Sequence, residues 1–155
     1  HLVTANNTLN DGVSLYSAYC SSCHQNTGAG TPDQFYPSLF NNTATGDFNP
    51  SNIIAAILNG VERTVDGKEY YMPSFGQNSP TQALTDEQIA LITQFVYQKY
   101  GHPDVVITPT MVKEIRQGGA VPFLLTLQPY FLPATIIIAL LILWGIIRLI
   151  RPKKR

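Results

Sequence analysis

Cys20-Ser21-Ser22-Cys23-His24 is the stretch on which the reading of this chain turns. It is a C-x-x-C-H sequence, the signature of c-type haem attachment. Two thiols three positions apart on a helical turn reach the two vinyl groups of one porphyrin and become thioethers. The next residue, His24, is then held beneath the iron with its imidazole aimed at the metal. Two other chemistries use paired cysteines. A thioredoxin-like dithiol needs a βαβ pattern, which is absent from the sequence. A zinc site needs four ligands, and only His1 and His102 remain, without paired spacing. The expectation is one covalent haem c, held by Cys20 and Cys23, with His24 as an axial ligand.

The surroundings of the motif predict short helices and long loops. Residues 11–22 carry Val13, Leu15, Tyr16 and Tyr19 and predict a helix running into the motif. Residues 25–48 are broken by Gly28, Gly30, Pro32, Pro37 and Gly46. Asn49-Pro50 reads as an N-cap with proline at the first helical position, followed by Ile53, Ile54, Ile57 and Leu58 and stopped by Gly60. Residues 61–84 read as irregular, with no strand pattern. Thr85-Asp86-Glu87-Gln88 is a capping box opening a helix that carries Ile89, Ile92, Phe95 and Val96 and ends at Gly101. Thr108-Pro109 opens a shorter helix closed by Gly118-Gly119, while residues 1–10 read as an extended arm. Asn6-Asn7-Thr8 and Asn41-Asn42-Thr43 match a glycosylation pattern and are read as ordinary loop residues. Long loops in a small helical domain suggest that they surround something, and a haem supplies the core they lack.

An electron carrier needs a sixth iron ligand, and Met/His ligation suits that role. Met72 lies in Tyr70-Tyr71-Met72-Pro73-Ser74-Phe75-Gly76, where Pro73 stiffens the backbone. Met111 falls on the apolar face of a predicted helix and reads as core packing. His102, after a helix-stopping glycine, reads as an exposed cap residue. Met72 is the favoured ligand; Met111 and His102 are the alternatives.

The order of these features resembles a class I cytochrome c domain over about residues 11–100. It consists of an N-terminal helix, C-x-x-C-H, a loop with Tyr36-Pro37-Ser38-Leu39, a middle helix, Met-Pro-x-Phe-Gly and a capped helix. The resemblance implies an all-α helical domain around one haem, with the Pro37 carbonyl accepting the His24 Nδ1–H and Met72 as distal ligand. Phe40-Asn41 replace the small residues usual after the Pro-x-Leu segment. Residues 84–101 and Pro109–Arg116 are similar to the last haem domain of membrane-bound dehydrogenase cytochrome subunits from periplasmic oxidation systems. Those subunits usually carry three haem motifs, where this sequence has one.

Charge divides the chain. Residues 1–120 hold all ten acids and five of the bases, net −5; the remainder holds five bases and no acid, net +5. An acidic domain offers no basic face to phosphates, so nucleic acid is not an expected partner. Residues 129–147 contain no charge. With Arg148 snorkelling, about 20 residues at 1.5 Å each reach the ~30 Å of a bilayer core. Pro129 and Pro133 are expected in its first turns, and Tyr130, Phe131 and Trp144 near the interfaces. The bases of residues 151–155 place that end in the cytoplasm by the positive-inside rule. His1 at the start suggests a removed leader. The expected organisation is a periplasmic domain over 1–117, a linker over 118–128, one transmembrane helix over 129–150 and a cytoplasmic tail over 151–155.

The reading that follows is an electron-transfer protein, not an enzyme, in a bacterial inner membrane. Its expected partners are membrane lipid and a membrane-bound redox complex: a dehydrogenase, a quinol-oxidising complex or a terminal oxidase. The alternatives are a cytochrome c1-like subunit of a quinol oxidoreductase, for which the soluble part is short, and a haem sensor or enzyme with an open iron site.

Overall fold

Asp11 starts the first helix because its carboxylate accepts the Ser14 N–H at 2.9 Å, satisfying one of the donors that every helix N-terminus leaves free. This computed structural model describes residues 10–119 and 127–150. Its elements are α1 (Gly12–Tyr19), α2 (Ser21–His24), α3 (Ser51–Asn59), β1 (Val61–Val65), β2 (Lys68–Met72), α4 (Asp86–Tyr100), α5 (Pro109–Arg116) and α6 (Gln128–Ile150). The chain divides into two units, His1–Gly119 and Ala120–Arg155.

The first unit is built on α4. The Thr85 capping box is formed in both directions, with Gln88 N–H on the threonine hydroxyl and the Gln88 side chain on the Thr85 N–H. Ile89, Ile92, Val96 and Tyr97 of α4 pack with Leu15 and Tyr16 of α1, Ile53, Ile54, Ile57 and Leu58 of α3, and Val112 of α5. α1 approaches α4 so closely that a Cβ on Gly12 would lie 2.5 Å from the Leu91 carbonyl oxygen. Thr108 caps α5 with Pro109 at its first position, as the sequence predicts.

Four expectations change. α3 begins one residue late: Pro50 is its N-cap, and Asn49 instead accepts the Ser51 N–H and hydroxyl. Residues 61–72 are an antiparallel hairpin, so the domain is mostly helical and not all-α. Asp66 and Gly67 form its two-residue turn, both with positive φ (51° and 75°), the geometry of a type I′ hairpin. Met72, expected in a loop, ends β2 and pairs with Val61. Pro133, expected in the first turns where a missing N–H matters least, lies inside α6 in its second turn and removes a hydrogen bond to the Pro129 carbonyl.

In the second unit, residues Gln128–Arg148 of α6 are 21 residues long and apolar enough to cross a bilayer. Their ~31 Å matches a bilayer core. Arg148 lies over the Trp144 ring at 4.4 Å. Residues 1–9 of the arm expected over 1–10, most of the linker (120–126) and the tail (151–155) lie outside the described residues.

Candidate haem-binding site

α1 delivers the two cysteines. The Cys20 N–H donates to the Tyr16 carbonyl as α1 ends, and the Cys23 and His24 N–H groups both donate to the Cys20 carbonyl. Both thiols are free and half-buried. Burial, followed by the nearby Cys23, pushes the Cys20 thiol up to about 12. Among the described residues no three His, Cys, Asp or Glu side chains gather to hold a bare metal ion.

The loop after His24 folds back over it. Gln25 turns the chain with φ 62°. Its carbonyl accepts the Tyr16 hydroxyl at 2.7 Å, and the Asn26 carbonyl accepts the Tyr100 hydroxyl at 3.3 Å. Leu39 N–H closes the loop on the Gly28 carbonyl at 2.8 Å. Gly30 (φ 69°) lies where a Cβ would meet the Tyr36 carbonyl oxygen at 2.1 Å, so only glycine fits. This return brings the Pro37 carbonyl to 3.1 Å from His24 Nδ1. A carbonyl only accepts, so Nδ1 carries the proton and Nε2 keeps its lone pair for a metal. Burial lowers the His24 pKa, outweighing the raising effect of the Pro37 hydrogen bond, and this favours the neutral, ligating form.

Cys20, Cys23, His24 and Pro37 thus converge. Met72 comes in on β2 and packs partly buried against the core. It lies between two aromatic residues that touch the motif's flanks. Tyr70 stacks on Phe35 at 5.7 Å, and Phe75 meets Tyr19 edge-on at 6.1 Å. Of the two alternatives to Met72, Met111 is likewise partly buried against the core, as expected. His102 is half-buried and not an exposed cap: its ring stacks on Phe48 at 3.8 Å and its Nε2 donates to the Gly46 carbonyl at 2.8 Å. Phe40 and Asn41 have a local explanation. Phe40, 53% exposed, lies edge-on to Tyr100, whose carbonyl accepts the Asn41 N–H.

Several residues that shape the site went unread in the sequence. Thr45, 1% exposed, donates to the Leu39 carbonyl at 2.5 Å and accepts the Asn42 N–H. Tyr97 and Tyr100 use their hydroxyls to hold the loop between the motif and α3, beside its apolar anchor Leu39. The spacing of Tyr97, Tyr100 and Gly101 at the end of α4 was the available signal.

The donor set suits a porphyrin tethered by thioethers: two adjacent thiols and one imidazole with its tautomer fixed. Fold and site together define a class I cytochrome c domain. The family model described as "Cytochrome C oxidase, cbb3-type, subunit III" matches residues 7–96, and the chain belongs to that family. It is also 50% identical over 109 residues to the fructose dehydrogenase cytochrome subunit of Gluconobacter japonicus. That stretch is 70% of this chain but 22% of the relative, so the chain spans about a fifth of the relative's length.

Proposed function

We propose that this chain is a membrane-anchored cytochrome c with one covalent haem, serving as an electron-transfer subunit. It takes electrons from a periplasmic dehydrogenase or a quinol-oxidising complex and passes them to a downstream acceptor such as a terminal oxidase. Cys20 and Cys23 form the thioethers, His24 is the proximal ligand oriented by Pro37, and Met72 is the distal ligand. The haem supplies reversible one-electron cycling of its iron. The protein's part is to fix the His24 imidazole, cover the group with apolar side chains and hold its ligands still.

The observation that carries this reading is the 3.1 Å contact from His24 Nδ1 to the Pro37 carbonyl, beside two free thiols. It presets a neutral imidazole with a free Nε2, which an unligated surface histidine has no need of. The relative is by name the cytochrome subunit of a dehydrogenase, and this supports a dehydrogenase as electron donor. A domain over residues 1–117, a linker over 118–128, a membrane helix over 129–150 and a cytoplasmic tail over 151–155 make up the assignment. The apolar character of α6 and the five bases that include Arg148 support an anchor with its C-terminus in the cytoplasm of a bacterial inner membrane.

Acid-acetone extraction of the purified protein tests the attachment. Haem is expected to stay with the polypeptide, and Cys20→Ala or Cys23→Ala is expected to prevent holoprotein accumulation. Haem released from the wild type refutes the assignment. For the anchor, a C-terminal reporter active only in the periplasm refutes the orientation. For the partner, recovery of a lone monomer across several mild detergents refutes a stable subunit.

A further inference from the structure

We propose that Arg116 is a positioning residue for the Met72 segment: it clamps the neck of the loop that follows Met72. The inference rests on the reading of Met72 as distal ligand. Arg116 is the last residue of α5, and its side chain turns back under the start of α4. Nε donates to Asp86 Oδ1 at 2.7 Å and Nη2 donates to the Leu84 carbonyl at 3.2 Å. Leu84 in turn donates its N–H to the Phe75 carbonyl at 2.9 Å. Phe75 and Gly76 donate to the Ile57 and Leu58 carbonyls at the end of α3, at 2.8 and 3.0 Å. The Phe75–Leu84 contact is therefore the neck of the loop, three residues from Met72, pinned to α3 on one side and to Arg116 on the other.

Two observations separate this arrangement from an ordinary stabilising ion pair. First, the Arg116 side chain is only 16% exposed, and its Nη1 is buried with no hydrogen-bond partner among the described residues. Nη1 lies 3.9 Å from the place a Gly76 Cβ would occupy, so it is packed against the loop itself. A buried cationic donor left unpaired works against stability, and an apolar side chain would fill the same space without that penalty. The guanidinium is instead suited to holding two acceptors, Asp86 and Leu84, in one fixed geometry. Second, a groove of about 300 Å³, lined by Asn59, Ser74, Gln77, Asn78 and Ser79 among others, lies beside the neck. It gives the segment room to move when the clamp is released, which a packed interior would not. α5 also lies outside residues 7–96, the span the family model matches, so the clamp is an addition to that span.

The test uses the full-length ferric holoprotein in detergent and reads the weak near-infrared sulfur-to-iron band, the reduction potential and the melting temperature. Arg116→Gln is expected to raise the population of the band-less form about tenfold, from loss of a charge-assisted hydrogen bond. It is also expected to lower the potential and the pH at which the band disappears. Arg116→Lys, which keeps the cation beside Asp86, is expected to restore part of the band, and it decides the matter if Arg116→Gln does not accumulate. Val112→Ala, a core truncation on the same helix, is expected to lower the melting temperature while leaving band and potential unchanged. If Arg116→Gln and Arg116→Lys behave like Val112→Ala, the positioning role is refuted and Met72 ligation stands. If Met72→Ala keeps the band, the ligation reading fails and takes this inference with it.

Discussion

Gly30 and Gly67 offer a paired test of how the Pro37 carbonyl reaches His24. Their φ values are 69° and 75°, so an alanine at either pays the same left-handed penalty, ~1–2 kcal/mol. Their surroundings differ. A Cβ on Gly67 meets nothing within 4 Å, while one on Gly30 lies 2.1 Å from the Tyr36 carbonyl oxygen and 2.7 Å from the Pro37 carbonyl carbon. Ordinary contact begins near 3.4 Å, so the Tyr36–Pro37 backbone must retreat by about 1 Å. The His24–Pro37 bond at 3.1 Å has far less slack than that before it ceases to be a hydrogen bond. Gly30→Ala should therefore cost a further ~2 kcal/mol, from the lost bond and the displaced turn. At about 4 °C per kcal/mol, the two variants should differ by roughly 8 °C in melting temperature. The assay is thermal unfolding of both holoproteins, followed by circular dichroism in the haem absorption region. Loss of the Nδ1 bond also makes His24 a less basic ligand, so the potential should rise in Gly30→Ala alone. Equal melting temperatures and equal potentials in the two variants would refute the argument.

Tyr97→Phe should destabilise the protein by about 1–2 kcal/mol at neutral pH, because the Asp47 and Ala44 carbonyls lose their donor. Burial, then Asp47, raises the Tyr97 pKa above its ordinary value of 10.0. The folded state holds the proton more tightly than the unfolded chain, so this contribution is complete below about pH 10 and is lost as pH rises above it. Urea titrations between pH 8 and 11 should show a weaker alkaline decline in Tyr97→Phe than in the wild type. Thr45→Val keeps the shape of a buried side chain but leaves the Leu39 carbonyl without its donor, for a cost of about 1–3 kcal/mol by denaturant unfolding. Met72→Ala should abolish the near-infrared sulfur-to-iron band and lower the potential; a band lost in Met111→Ala instead would move the ligand there.

What was legible in the sequence was local. The helix starts at Thr85 and at Thr108-Pro109 were readable because capping chemistry lies within four residues of its target. The motif was readable because its spacing is its function. The hairpin was missed because all five residues of β1 are exposed, so no apolar alternation marks it. Only Asp66-Gly67 announced the turn. Pro37 sits thirteen residues from His24, and its role came from a family resemblance, not from any local pattern. Arg116 and Leu84 are 32 residues apart on unrelated elements, and no periodicity links them. Pro133 was placed in the first turns, yet with the helix starting at 128 or at 129 its position already faces the Pro129 carbonyl, so its cost follows from helix geometry alone.

These long-range links share one helix. The C-terminal end of α4 holds the loops after the motif: the Tyr97 hydroxyl reaches Asp47 and Ala44, the Tyr100 hydroxyl reaches Asn26, and the Tyr100 carbonyl takes the Asn41 N–H. A Cβ on Gly28 would lie 2.5 Å from the Tyr100 ring, and one on Gly101 would lie 2.2 Å from the Thr45 carbonyl oxygen. The N-terminal end of α4 carries Asp86, which holds the Arg116 guanidinium while its Nη2 donates to the Leu84 carbonyl at the neck of the loop after Met72. A helix of fifteen residues is about 22 Å long and stiff over that distance. The loops that follow His24 and Met72 are thus both tied to a single rigid element, in addition to the Phe35–Tyr70 and Tyr19–Phe75 ring contacts that join the two regions directly. Loops with few buried apolar residues open at low free energy when held only by their own contacts. Pinned to opposite ends of α4, they keep a fixed spacing, which the proposed His24 and Met72 ligation of one haem iron would require.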